Sequence, residues 1–368
     1  MKVTWHPYKE LRLDSELAED EDLLHMSGDN AAVIQERKYS FVAMTWHPKL
    51  KKIIVGATNM AGDILLTFDP KTRQFESCGF PFSPFCSSAT TKIHKGLSLD
   101  VENDEVYFGI ATLSPLSDII RRPGGPLLKY NFTTKEYSVV ADAMPGMFNQ
   151  ATMVDPKRCL MYTCTGRSCF GVIDLKTRKM KAFEPVGSIP HNLAMDDEGG
   201  VWSTHSEGRQ AFFRYNPDTD GFEFPEGCAF PNATEASNVM YPGAGPVDEI
   251  LNGNDGFLYT ASALGELYRL DPQKGSLEYL GKPFPGKRLP ALAMGEDGWL
   301  YMAGGREHAS FLTRYHIGVN RFELLGPVET PDGRFLNYAH ELCIVDGICF
   351  IGETDNKTRS GYMWVCEV

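Results

Sequence analysis

The sequence predicts a single all-β domain, a seven-bladed β-propeller with four-stranded blades, its ring closed by an N-terminal strand. Three observations carry this. The 368 residues include 35 Gly, 23 Pro and 11% aromatics; one short strand signature recurs seven times; and the last repeat stops one strand short. Gly and Pro supply turns, and aromatics suit packed, pleated surfaces. A ring of blades also lets one domain exceed the usual roughly 100–200 residues without a thicker core.

The recurring signature is an aromatic or large apolar residue followed by small residues. It reads Ile54-Val55-Gly56, Tyr107-Phe108-Gly109, Tyr162-Thr163-Cys164, Trp202-Ser203-Thr204, Tyr259-Thr260-Ala261, Tyr301-Met302-Ala303 and Phe350-Ile351-Gly352. The spacings of 53, 55, 40, 57, 42 and 49 residues bracket the period of a four-stranded blade. Most copies follow a tight Asp/Asn/Gly turn, such as Gly253-Asn254-Asp255-Gly256, and a short apolar strand precedes that turn. Many are followed by a strand ending in a Pro- or Thr-marked turn, such as Phe68-Asp69-Pro70-Lys71-Thr72. Each unit therefore reads as strands a, b, c and d, from the axis outward. The blades fall at roughly 41–80, 94–140, 149–184, 190–225, 247–281, 289–325 and 339–368. The seventh has room for only one strand after Phe350, at Tyr362–Val368, so a strand within residues 1–40 must complete it. The acidic stretch Glu16–Asp22 is expected to be a solvated loop.

The remaining composition narrows the function classes. Net charge is −12 and no basic tract occurs, so nucleic acid is not an expected partner. No run approaches the roughly 18 apolar residues of a membrane-spanning helix, so no membrane association is expected. The nine cysteines lack metal-site spacing, and several fall on strand positions. With no apolar leader in Met1–Pro7, this predicts reduced core thiols and a cytoplasmic protein. P-loop, dinucleotide-fingerprint, zincin and nucleophile-elbow motifs are absent.

In a propeller, strand a lines the central channel, and the d–a and b–c connections open on one face. Counting back ten to thirteen residues from each repeat aromatic reaches His94, Gln150, His191, Asp248, Pro290 and His340. Three of nine histidines thus occupy equivalent slots and should converge on one mouth. The b–c loops add Arg167, Arg209 and Arg306, and His205 lies in the loop of the His191 blade. Glu249 follows Asp248, and Glu353, Asp355 and Arg359 share the last b–c loop. Arginine around histidine suits an anionic ligand, because guanidinium binds carboxylate bidentately. No cofactor is required. A divalent cation in the channel is compatible with imidazoles from His94, His191 and His340 and oxygens from Asp248, Glu249 or Glu341.

The segment from Pro190 to Thr204, Pro-His-Asn-Leu-Ala-Met-Asp-Asp-Glu-Gly-Gly-Val-Trp-Ser-Thr, resembles a repeat of streptogramin (virginiamycin B) lyase. The likeness implies a seven-bladed propeller in which a His opening strand a and an acidic b–c residue perform an elimination near a divalent cation. His191 matches that His, whereas His205 stands at the acidic position. The wider set is similar in kind to propeller polysaccharide lyases acting on uronate glycans. The expected function is therefore a carbon–oxygen lyase performing β-elimination on a uronate-containing oligo- or polysaccharide. His191, His205, His94 and His340 are the candidate catalytic groups. Gln150, Arg167, Arg209, Arg306, Asp248 and Glu249 are the candidate substrate-binding residues. The alternatives are a glycoside hydrolase on the same scaffold, working through a water activated by a His, Asp248 or Glu249, and a non-catalytic binding propeller.

Overall fold

The computed structural model describes residues 1–9, 38–59, 62–112, 124–141, 147–166, 169–187, 191–205, 211–240, 244–306, 309–356 and 359–368. The acidic stretch Glu16–Asp22 lies outside them.

Seven four-stranded antiparallel sheets form the ring, as the repeat predicts. Blade one is β2 (Ser40–His47), β3 (Lys52–Thr58), β4 (Leu65–Asp69) and β5 (Gln74–Ser77). Blade two is β6 (Ser98–Asp100), β7 (Glu105–Gly109), β8 (Leu127–Asn131) and β9 (Glu136–Ala141). Blade three is β10 (Asn149–Asp155), β11 (Leu160–Thr165), β12 (Cys169–Asp174) and β13 (Lys179–Pro185). Blade four is β14 (Ala194–Met195), β15 (Val201–His205), β16 (Ala211–Asn216) and β17 (Gly221–Glu223). Blade five is β18 (Val247–Asn252), β19 (Leu258–Ser262), β20 (Leu267–Asp271) and β21 (Ser276–Gly281). Blade six is β22 (Ala291–Met294), β23 (Trp299–Arg306), β24 (Ala309–His316) and β25 (Arg321–Pro327).

Blade seven joins the two ends of the chain. β26 (Tyr338–Val345), β27 (Ile348–Thr354) and β28 (Met363–Glu367) are completed by β1 (Lys2–His6) as the outermost strand. Val3 lies opposite Cys366, and Trp5 opposite Trp364. Trp5 also stacks on Tyr362 with ring centroids 4.6 Å apart. This pairing covers the edge that β28 would otherwise present to other chains.

The signature aromatics explain the period. Tyr162, Trp202, Tyr259, Tyr301 and Phe350 are all buried. Three of them meet an aromatic from the third strand of the next blade. Tyr162 meets Tyr215 at 5.9 Å, Tyr259 meets Tyr315 at 6.4 Å and Phe350 meets Phe68 at 6.0 Å. In these three blades a large ring thus lies at the blade–blade interface, where burial stabilises by about 2–3 kcal/mol per side chain.

The turn between the third and fourth strands is equally regular. Asp69 Oδ1 accepts from the backbone N–H groups of Lys71 at 2.8 Å and Thr72 at 3.1 Å. Asn131, Asp174 and Asp271 do the same in their blades. An Asx side chain satisfies the two turn amides, which is why Asp or Asn opens these four; in blade six His316 Nδ1 accepts from the Gly318 N–H instead. All nine cysteines are free and six are buried. Among the described residues, no helix is long and apolar enough to cross a membrane.

The inner strands carry the feature that builds the site. In blades one, three, five and seven the ladder between first and second strands skips one residue: Val42, Gln150, Asp248 and His340. A bulge of this kind leaves its residue unpaired and re-aims its side chain. His94 and His191 reach the channel differently, from the connectors before β6 and β14. There the blades touch closely. A Cβ on Gly96, at φ 100°, would sit 2.1 Å from the Thr152 carbonyl oxygen. Only glycine permits that approach, and the Thr152 hydroxyl closes it by donating to the Gly96 carbonyl at 2.6 Å.

Candidate functional site

Three histidines from three blades meet in the channel. His94 of the blade-two connector and His340 of blade seven stand Nε2 to Nε2 at 3.2 Å, with ring centroids 5.0 Å apart. His191 of the blade-four connector lies with its ring centroid 5.3 Å from that of His94. His94 Nδ1 donates to the Gln150 carbonyl oxygen at 3.0 Å. The Gln150 side chain itself lies beside Gly166 in its own blade.

Beside the imidazoles runs an ionic cluster that joins opposite sides of the ring. Lys95, only 8% exposed, reaches from blade two to Glu249 of blade five and donates to the Pro290 carbonyl oxygen at 2.7 Å. Its ammonium is also 3.8 Å from Glu341 of blade seven. Asp248 is held by a second cation. Both its oxygens take Arg288 Nε, at 2.9 and 3.0 Å, and one accepts from the Leu289 N–H at 2.7 Å.

Lys92 is the cation left over. It lies two residues before His94 in a connector whose backbone bridges Thr58 and Ala111. No ion pair within 4.0 Å joins Lys92 to an acidic side chain among the described residues. Burial lowers its pKa to about 8, against a partial offset from Asp355.

These cations set the protonation of the imidazoles. Burial, then Lys92, Arg288 and Lys95, push His191 down to about 3. Burial with Lys92, and then the neighbouring imidazoles, holds His94 well below its ordinary value. Burial with Lys95, Lys92 and Arg288 does the same to His340. All three are neutral near pH 7. Burial raises Glu341 to about 8, although Lys95 opposes this. Lys95 itself is held charged: burial alone would lower its pKa, but Glu249 and Glu341 outweigh that.

The matched slots thus bring His94, His191 and His340 together, as the counting predicts. His205 does not join them. It ends β15 opposite Ala211, and its ring packs on Phe224 at 5.2 Å, beyond the outer strand of blade four. It belongs to the second strand of its blade, one strand out from the innermost β14. Asp248 and Glu249 reach the site but are committed to Arg288 and Lys95. Glu353 is likewise enclosed, taking both Arg359 nitrogens at 2.7 and 3.0 Å and the Trp364 indole at 3.0 Å. Arg306 ends β23, and Arg167 and Arg209 lie outside the described residues.

Sequence reasoning missed Lys92, Lys95 and Arg288. The available signal was two lysines flanking a histidine in Lys92-Ile93-His94-Lys95, within a connector just ahead of an inner strand. As for a cation, no group of three or more His, Cys, Asp or Glu among the described residues has a geometry that could hold a metal ion. The donors that might have served are already spent, since the Lys95 ammonium occupies the space between Glu249 and Glu341.

Comparison with known proteins shows an architecture. The extracellular domain of BT4673 from B. thetaiotaomicron, provisionally described as a hybrid two-component system, is 13% identical. It superposes with a TM-score of 0.61 over 89% of this chain and 38% of that one. A second structure, described as the extracellular domain of a one-component system BT4673, is 12% identical with a TM-score of 0.62, over 97% and 40%. The likeness is one of fold. This chain spans about two-fifths of the length of those solved chains. No protein-family model and no curated protein matches it.

A separate groove of about 1060 Å³, lined among others by Glu76, Lys129, Tyr130 and Tyr137, lies between blades one and two and contains none of the channel histidines. The chemistry-bearing groups are in the channel. There, a free ammonium beside neutral imidazoles can bind an anion and move protons around it.

Proposed function

We propose that the channel mouth is the active site of a carbon–oxygen lyase that cleaves a uronate-type sugar by β-elimination. One observation carries this reading: three neutral imidazoles lie within electrostatic range of Lys92, whose ammonium makes no ion pair with an acidic side chain among the described residues. The Lys92 ammonium takes the substrate carboxylate and steadies the negative charge that grows on it as the α-proton leaves. Such stabilisation is usually the largest single contribution to the rate. His191 accepts that proton. The pair formed by His340 and His94 protonates the leaving oxygen, and a carbon–carbon double bond remains.

A base held near 3 is too weak to take a carbon-bound proton in the empty site. The substrate alters this. Its carboxylate offsets the Lys92 charge, which is the second largest cause of the lowered His191 pKa. The bound anion thus raises the basicity of the imidazole, although burial, the largest cause, still holds it down. A hydrolase is less well supported, because Asp248 and Glu249, the carboxylates best placed to activate water, are tied to Arg288 and Lys95.

The test is product analysis with uronate oligomers. Wild-type protein should release a product absorbing in the near ultraviolet. His191→Ala should lose this activity, and Lys92→Met should raise KM and lower kcat about 100-fold or more, the cost of one lost charge-stabilising donor. A saturated product would identify a hydrolase instead. Binding without turnover would identify a binding module.

A further inference from the structure

We infer that the channel mouth is a blind well that admits the end of an anionic sugar chain and excludes its interior, an inference that rests on the lyase reading. The site is built in tiers along one connector. Lys92 comes first, His94 two residues on, and Lys95 next. Three residues of extended chain cover about 10 Å. Exposure drops after the first of them. Lys92, His191 and His340 keep partial exposure, whereas His94 is 7% and Lys95 and Glu249 are each 8% exposed.

Lys95 forms the floor. From blade two its ammonium crosses to Glu249 of blade five, the Pro290 carbonyl before blade six, and Glu341 of blade seven. Four blades are tied at one point, so a chain cannot thread through the ring. Opening the floor would strand the buried Glu249 carboxylate without its counter-ion. An interior sugar carries a neighbour on each side, and both would have to descend with it. A terminal sugar has one neighbour and can enter tip first. Among the described residues Lys92 is also the one channel cation outside an ion pair, matched to one carboxylate rather than to a row of them.

The experiment is calorimetric titration of the whole protein with galacturonate, its dimer, tetramer and hexamer, and polygalacturonate. All are compared at equal concentration of chain ends, and the series is repeated with mannuronate and glucuronate oligomers. Affinity per chain end should stay within about threefold, well under 1 kcal/mol, from tetramer to polymer. Affinity per chain that rises in proportion to length would overturn the blind well and leave the lyase reading intact. Failure of every uronate to bind would overturn both. Product sizing gives a second readout. Early release of mono- or disaccharide from polymer supports end-on entry, whereas an early fall in viscosity would contradict it.

Discussion

His94 and His340 face each other across the channel with their Nε2 atoms 3.2 Å apart. Since the Gln150 carbonyl can only accept, His94 must donate from Nδ1, which leaves its Nε2 as a lone pair. His340 must then donate from Nε2, and its Nδ1 is buried without a hydrogen-bond partner. The expected outcome by nitrogen NMR at neutral pH is a Nδ1-protonated His94 and a Nε2-protonated His340. The reverse pair of tautomers would remove His340 as the proton donor to a leaving group.

The imidazole cluster should make the fold acid-sensitive. Its histidines have folded pKa values below the ordinary 6.5, with His191 at about 3. As pH falls below 6.5 the unfolded chain takes up protons that the folded chain refuses. The stabilisation is thus complete above 6.5 and is lost as pH falls toward 3. Glu341 acts in the opposite sense. Its pKa, raised from 4.5 to about 8, favours the folded state at low pH and loses that contribution as pH rises. Burial also raises Glu249, which acts in the same sense as Glu341, and three histidines outweigh two carboxyls. For buried His94 the slope approaches about 1.4 kcal/mol per pH unit. Urea midpoints measured between pH 6.5 and 5 should fall, and His94→Leu should flatten the fall. A midpoint that does not change over this range would contradict the assignment of neutral imidazoles.

The Lys95 cluster should behave as one unit. Lys95→Met leaves Glu249 buried without its counter-ion and should destabilise by about 3–5 kcal/mol in chemical denaturation. Adding Glu249→Gln and Glu341→Gln should recover at least half of that loss, because the stranded charge and its acidic neighbour are gone. If the triple variant is as unstable as three independent losses, the cluster is not coupled.

Ring closure depends on a short strand far from the rest of its blade in sequence. Trp5→Ala removes the stack on Tyr362 and the Arg334 guanidinium 3.9 Å above the Trp5 ring. It should cost about 2 kcal/mol, less than a full core deletion because Trp5 is half-buried. Deleting residues 1–7 should expose the edge of β28 and promote association between chains, seen by light scattering. A synthetic peptide of the same residues should reverse it. A monomeric deletion variant with unchanged melting temperature would show that β1 does not close the ring.

The fold was legible because its devices are local. A buried large residue in each second strand, such as Tyr162 or Tyr259, and an Asx-capped turn, such as that at Asp69, each occupy a few consecutive residues. Their recurrence exposes the period without any knowledge of contacts. The histidine slots were legible for the same reason, since His94, His191 and His340 keep a nearly constant distance to those aromatics. Connectors have no period, so Lys92, Lys95 and Arg288 left no comparable trace. His205 misled because the same blade supplies both histidines, and only its place on β15, one strand out from β14, separates them.

The amino-acid sequence by itself determined the blade number, the N-terminal closure and the convergence of three imidazoles, because each follows from spacing along the chain. Only the tertiary structure decided which carboxylates are already paired, which cation is left free and how far each imidazole is held from protonation. Those are properties of charge placed in a low-dielectric channel. They depend on distances between residues that lie as far apart in sequence as Lys95 and Glu341, and no local pattern encodes them.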